Sequence, residues 1–251
     1  MKKIHDDFRK ANTLETSENE LKKLSLSSHD VVRGAVAMNV NSPIAVKEIL
    51  FNDNSDHVKE CLMMSGIPAY GMITKAKIID GNKLFFTDAT REDAEFIVKL
   101  RSDEKKSRYI SKTDPDVEKQ RKWLRSYETD TSQAYFIIRD NNERVGTVRI
   151  YDQRGESFCW GSWILKDGVN KIFAIESALI VYSYALSIGL RKAHFTVSKG
   201  NDSVSRFHER FGAVVVEEND DEYFYELSTE SIIESMRKYE RYLPNGIRIT
   251  F

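Results

Sequence analysis

Apolar residues along this chain follow two different rhythms, and the change falls near residue 72. From Ala11 to about Met72 they recur at helical intervals between short polar breaks, which predicts helices over 16–24, 30–38, 43–50 and 56–64. Pro43 suits a first helical turn, and Ser28, Ser42 and Ser55 suit caps. The breakers in Gly66-Ile67-Pro68-Ala69-Tyr70-Gly71 mark a connection. Beyond them, short alternating runs predict strands at 83–87, 134–139, 144–151, 157–165, 194–198, 213–217 and 223–227. Helices are predicted at 90–101, 116–127, 173–187, 203–210 and 230–242, with Thr90 and Asp93 spaced close to a capping box. Tight turns fall at Asp140-Asn141-Asn142 and at Arg154-Gly155.

The second half therefore reads β-α-α-β-β-β-α-β-α-β-β. This is an α/β (α+β) mixed sheet with helices on both faces, preceded by a small all-helical domain. The expected divisions are 1–72, 83–228, and a C-terminal helix and tail at 229–251. No GxGxxG or Walker sequence stands where a dinucleotide or nucleotide-triphosphate fold would need one.

Within the helical part, a shift of 26 places (50 − 24) lays Leu24 on Leu50, Val32 on Val58, Arg33 on Lys59 and Val36 on Leu62. The wording from Val32 to Asn39 resembles variant leucine-rich or HEAT-like repeats. Two units bury little by themselves, so this part is expected to pack on the second half or on a second subunit.

Composition narrows the classes. The 251 residues are 41% hydrophobic and 31% charged, which describes a globular chain. A net charge of −1 disfavours a general nucleic-acid binder. The two cysteines, Cys61 and Cys159, have neither metal-ligand spacing nor a disulfide framework, and the five histidines form no ligand motif, so no metal is expected. The start turns acidic at once, without an apolar stretch for a signal peptide, and a cytoplasmic location is the default expectation.

Three stretches carry a family resemblance. Leu100-Arg101-Ser102-Asp103 ends the first helix of the second half; Glu176-Ser177-Ala178 leads to Tyr184-Ala185-Leu186 and Gly189-Leu190. The third is Asn201-x-x-Val204-x-x-Phe207-His208-Glu209-x-Phe211-Gly212-Ala213. In this order they resemble the GNAT superfamily of N-acyltransferases. The resemblance implies attack of an amine on the thioester of an acyl-CoA, with the pyrophosphate of coenzyme A held between the fourth strand of the fold and the long helix. There this chain departs from the family. Val169, Ile172 and Ala174 fall where Q/R, Gly and Gly/Ala are usual, and only Ala174 conforms. Gly168, Asn170 and Lys171 offer a substitute, because helix N-terminal amides and a lysine attract phosphate.

The stretch Phe158-Cys159-Trp160-Gly161-Ser162-Trp163-Ile164-Leu165, the lysine-containing loop and Lys199-Gly200-Asn201 resemble a narrower group. Its members are bacterial N-acyltransferases of dTDP-linked 3-amino-3,6-dideoxyhexoses, used for O-antigen or capsule sugars. The resemblance implies acetyl-CoA or 3-hydroxybutanoyl-CoA as donor and a nucleotide-linked amino sugar as acceptor, and it allows a homodimer. The "EA…YAF" likeness of the long helix leaves a protein N-terminal acetyltransferase as an alternative, and the altered loop leaves a non-catalytic interaction module.

Residue roles follow from that alignment. Backbone near Trp163, Ile164 and Leu165 is expected to receive the thioester oxygen and the pantetheine arm, with Asn201 and Phe207 beside the arm. His208 holds the place of the family's tyrosine acid. Glu176 is the carboxylate best placed as base, with Asp152 or water as alternatives. Arg149, Tyr151, Trp160 and Ser162 alternate so as to present one face to the acceptor, and Tyr109 and Lys112 lie in a loop that borders acceptor sites in the family.

Overall fold

The computed structural model describes residues 2–51, 53–65, 71–103 and 115–251. The chain forms two compact units, Met1–Gly71 and Met72–Phe251.

The first unit is helical: α1 (Lys2–Asn12), α2 (Glu18–Leu24), α3 (Asp30–Met38), α4 (Ile44–Phe51) and α5 (Asp56–Met64). Residues matched by the 26-place shift occupy equivalent positions, since Leu24, Leu50, Val32, Val58, Val36 and Leu62 are all buried in one cluster. Arg33 on α3 grips Asp53 with two bonds, Nε to Oδ2 at 2.6 Å and Nη2 to Oδ1 at 2.9 Å. Its carboxylate partner is held below the usual range by that hydrogen bond. Gly34 lets α3 and α5 approach closely, since a Cβ there would stand 3.0 Å from Cys61 Sγ on α5.

Two expectations need correction here. The helical pattern begins earlier than Ala11, because α1 precedes it. Ile4, Phe8 and Ala11 give that helix a stripe at i, i+4 and i+7, of which Ala11 is fully buried. Ser28 is not a cap: His29 holds the N-cap position of α3, without a side-chain bond. Ser42 instead donates its hydroxyl to the carbonyl of Val36 at 2.6 Å.

The second unit is built on one nine-stranded sheet ordered β7-β8-β6-β5-β4-β3-β2-β1-β9. Its strands are β1 (Ile78–Asp80), β2 (Leu84–Asp88), β3 (Ala134–Asp140), β4 (Glu143–Arg154), β5 (Ser157–Leu165), β6 (Lys192–Ser198), β7 (Val214–Glu218), β8 (Glu222–Leu227) and β9 (Arg248–Thr250). Between them run α6 (Ala94–Arg101), α7 (Val117–Tyr127), α8 (Ile172–Ser187), α9 (Asp202–Arg210) and α10 (Thr229–Lys238). A short 3-10 turn over Arg91–Asp93 precedes α6, and Thr90 and Asp93 form the reciprocal capping box there.

Pairing is antiparallel except between β5 and β6. Helix α8 lies on one face, and its residues share a core with Phe136, Val148, Ile150, Phe158, Trp160 and Phe195. Helices α6 and α7 lie on the other face, over Tyr135 and Ile137. Toward β6 and β8, that second face carries partly or fully exposed residues: His194, Thr196, Phe224 and Glu226.

Candidate active site

The site begins with a defect in strand pairing. The parallel partners β5 and β6 are in register only over Ser157↔Lys192, Phe158↔Ala193 and Cys159↔His194. Beyond those pairs they part, leaving one edge of β5 from Trp160 onward without a strand neighbour. On its other edge β5 carries a bulge: Thr147 pairs with Ile164 and Arg149 with Gly161, so two steps along β4 answer three along β5. Ser162 takes up the extra residue with φ +48, a left-handed conformation that costs a non-glycine residue energy. The hydroxyl of Thr147 donates to the Ser162 carbonyl at 2.7 Å, and Arg101 Nη1 donates to Ser162 Oγ at 3.1 Å. Gly146 makes the approach possible, since a Cβ there would come within 2.4 Å of the Ile164 carbonyl oxygen.

Behind the parting, on the α8 face, is an aromatic block. His208 lies among Trp160, Trp163, Phe195 and Phe207, with ring centroids 5.2, 6.1, 4.1 and 5.6 Å away. Trp163 packs on Phe207 at 4.9 Å and donates its indole N–H to Ser177 Oγ on α8. His208 is buried, its Nδ1 has no partner among the described residues, and burial pushes its pKa down to about 3. It is a neutral imidazole at ordinary pH. That removes it from the role of imidazolium acid expected from its position in the motif.

Glu176 also differs from its expected role. Its Oε1 accepts the backbone N–H groups of Asn82, Lys83 and Leu84 at 2.9, 2.6 and 2.8 Å. The carboxylate is buried and pins the β1–β2 connection to α8. A group so occupied is a structural anchor, not a proton acceptor for a substrate amine.

In front of the parting, on the α6–α7 face, stand Arg149 and Tyr151. The Arg149 guanidinium lies between two rings, 5.4 Å from Trp123 on α7 and 4.6 Å from Tyr151. Its Nε is buried and unpartnered, and it makes no ion pair among the described residues. Burial lowers its pKa, and the neighbouring Arg101 adds repulsion. The Tyr151 hydroxyl sits over Gly161, where a Cβ would be 3.0 Å away, and burial holds the phenol protonated. Trp160 does not join this group. It pairs with Ile150, so its indole points to the opposite face, toward Tyr182 at 5.5 Å. Ser162 does reach this side, but only because of the bulge. Tyr109 and Lys112 lie outside the described residues.

The loop 166–171 joins β5 to α8. Gly168 adopts φ +78 with open space around it, Asn170 caps Ile172 N–H through Oδ1 at 3.1 Å, and Lys171 occupies the N-cap position with its side chain exposed. Two open clefts of about 670 and 740 Å³ flank it, one touching Gly168, Val169 and Asn170 and the other Lys166 and Asp167. Asn201 is the N-cap of α9, and its Oδ1 accepts from Ser203 at 3.4 Å. Parted strands, a bulge at their margin and a helix N-terminus following β5 are what the pantetheine and pyrophosphate of an acyl-CoA require.

The profile of the acetyltransferase (GNAT) domain matches residues 83–214. This chain belongs to the GNAT acetyltransferase family. As such it is an acyltransferase that moves an acyl group from acyl-CoA to an amine. Among solved structures it is similar to apo FdhC, described as a nucleotide-linked sugar GNAT, with 37% identity over 69% of this chain and 98% of that one and a TM-score of 0.58. The fold is also shared with a GCN5-related N-acetyltransferase from Brucella melitensis (14% identity, 68% and 87% coverage, TM-score 0.59). A spermidine N-acetyltransferase from Vibrio cholerae in complex with CoA and spermine has it too (18%, 60% and 98%, 0.54). A comparison with curated proteins finds no match. No helix among the described residues is long and apolar enough to cross a membrane.

Sequence reasoning passes over Trp123. A lone tryptophan in the polar helix α7, 36% exposed, is an available signal for Trp123.

Proposed function

We propose that this acyltransferase acylates the amino group of a dTDP-linked 3-amino-3,6-dideoxyhexose, from acetyl-CoA or 3-hydroxybutanoyl-CoA, for a bacterial surface polysaccharide. The observation that carries the reading is Arg149, a buried guanidinium between Trp123 and Tyr151 with no carboxylate paired to it among the described residues. Such a cation favours an anionic acceptor. A diphosphate would compensate the charge, and the aromatic rings suit a stacked base. The same cation beside Arg101 repels a polyamine, which argues against an acceptor like spermidine. The 37% identity with a nucleotide-linked sugar GNAT points the same way.

In this reading the bulge at Ser162 turns backbone N–H groups of Trp163 and Ile164 toward the thioester oxygen, with Leu165 continuing along the pantetheine. Gly168, Asn170 and Lys171 receive the pyrophosphate, and Asn201 and Phe207 flank the arm. Tyr151, protonated and poised over Gly161, supplies a proton to the departing thiolate. The test is release of free thiol from either acyl-CoA with an amino-sugar nucleotide, a peptide amine or spermidine as acceptor. Release with the amino-sugar nucleotide is expected; release only with peptide or polyamine would reject the proposal.

A further inference from the structure

Where the strands part, the apolar wall behind them leaves polar atoms unsatisfied. Cys159↔His194 is the last pair of β5 and β6, so Trp160 and Phe195 stand first beyond it, their rings 6.2 Å apart. His208 from α9 packs against both, with centroids 5.2 and 4.1 Å away. Trp160, Tyr182 and His208 are 3, 0 and 5% exposed, so bulk water does not reach them. Yet Trp160 Nε1, the Tyr182 hydroxyl and His208 Nδ1 all lack a hydrogen-bond partner among the described residues. The indole N–H lies toward the Tyr182 hydroxyl without closing a bond to it. Trp163, by contrast, places its N–H on Ser177 Oγ at 3.1 Å. A buried polar atom without a partner costs free energy, so three gathered around one ring ask for a group that completes them.

What reaches these atoms follows from the direction of the donor along β5. The inference rests on the donor placement proposed above: pyrophosphate at Gly168, Asn170 and Lys171, pantetheine along Leu165, and thioester oxygen at the N–H groups of Trp163 and Ile164. Each step runs toward lower residue numbers, so the acyl chain comes next, beside Gly161 and Trp160. There the parting closes at Cys159, and the chain can run no farther between the strands. His208 spans this stretch, since its ring lies 6.1 Å from Trp163 at the thioester end and 5.2 Å from Trp160 at the closed end. Burial keeps the imidazole uncharged, so one ring nitrogen donates and the other accepts. A hydroxyl does both, and therefore satisfies Nδ1 in either tautomer; a methyl or methylene group satisfies it in neither.

We propose that His208 selects the acyl donor: its Nδ1 bonds a hydroxyl carried on the acyl chain, so the enzyme prefers a short hydroxyacyl-CoA to the matching unsubstituted acyl-CoA. Of the two donors named above, this chooses 3-hydroxybutanoyl-CoA, since the acetyl group brings no hydroxyl. The role is one of binding. His208 takes no proton from the substrate and gives none, and the departing thiolate remains with Tyr151. The aromatic rings around the imidazole exclude water, which makes the missing bond harder to replace when a donor without the hydroxyl is bound.

The experiment measures kcat/KM for 3-hydroxybutanoyl-CoA and for butanoyl-CoA, which differ by one hydroxyl, using whichever amine the wild type acylates best. The wild type should prefer the hydroxylated donor by about 10- to 100-fold, the range for one hydrogen bond to an otherwise stranded buried group. In His208→Phe, which keeps an aromatic ring and loses the nitrogen, the ratio should fall to within about threefold of unity. The ratio is blind to a general loss of activity or of folded protein. Ring ¹⁵N NMR of the wild type with each donor and no amine tests the contact without a variant, and the His208 Nδ1 resonance should differ between the two complexes. A wild-type ratio within about threefold of unity, a ratio unchanged in His208→Phe, or identical Nδ1 shifts with both donors overturns the assignment. Turnover only with a peptide or polyamine would sink the acceptor reading and leave the donor ratio to be measured on that amine. No turnover with any amine would sink the proposed function, and the NMR comparison would still decide the contact.

Discussion

If His208 is a buried neutral imidazole, stability must carry its signature in pH. The folded ring sits near pKa 3, against 6.5 for an unperturbed histidine, and desolvation is the cause. Between those values the unfolded chain binds a proton that the folded chain does not. Stability must then fall as pH falls through 6.5, and go on falling until the folded ring is itself protonated. Each pH unit between the two values costs about 1.36 kcal/mol, so the loss at pH 5 is about 2 kcal/mol and approaches roughly 5 kcal/mol near pH 3. The assay is urea unfolding from about pH 7.5 to pH 5, wild type against His208→Gln, read by tryptophan fluorescence. Trp123, Trp160 and Trp163 all lie in Met72–Phe251, so the signal is blind to the helical unit. Other groups, His194 among them, contribute equally to both proteins and cancel in the difference. The variant should lose about 2 kcal/mol less than wild type over this range. Equal losses would mean that His208 charges freely in the folded protein, and would return it to candidacy as an acid.

Three further expectations test the rest of the site and the helical unit. Glu176→Ala should lower stability by about 3 kcal/mol or more, because three N–H groups lose their acceptor, whereas Glu176→Gln should keep kcat within about threefold; a large loss of turnover in a folded Gln variant would restore it as the base. Arg149→Met should raise KM for the sugar nucleotide by about 10- to 100-fold and leave KM for acyl-CoA unchanged, as loss of one charge-assisted contact implies; equal effects on both substrates would refute the acceptor assignment. Asp53→Asn should cost the helical unit about 3 kcal/mol by stranding Arg33, seen as an earlier far-ultraviolet transition without a matching tryptophan transition.

The order of elements was legible in the sequence because the longer strands are runs rich in β-branched and aromatic residues bounded by turn residues, and the long helix is predominantly apolar. The three-residue strands were not. β9 pairs with β1 in the register Ile78↔Thr250, and three residues hold too little alternation to signal a partner so far away in the chain. The same limit applied to the site. Arg149 and Tyr151 do share a face, as a period of two predicts. Trp160 does not extend it, because pairing with Ile150 fixes it on the far face, and Ser162 joins it only because the bulge reverses that residue. A bulge is a property of two strands together, so a pattern read along one strand cannot reveal it. For His208 and Glu176 the motif located the residue but not its surroundings, and burial of the first and three backbone donors on the second changed what each can do.

These corrections sharpen the division of labour across the sheet. The family motif on α9 places Phe207 and His208 behind the parting of β5 and β6, where an apolar wall suits the uncharged pantetheine and acyl chain. The polar chemistry lies in front of it. Arg149 lacks an anion among the described residues, and Tyr151 holds its proton. A thioester threaded through the parting would present its carbonyl carbon to that front face and keep its sulfur chain dry behind. Such an arrangement lets an anionic, hydrated acceptor react without entering the apolar wall, because the sheet itself separates the two environments.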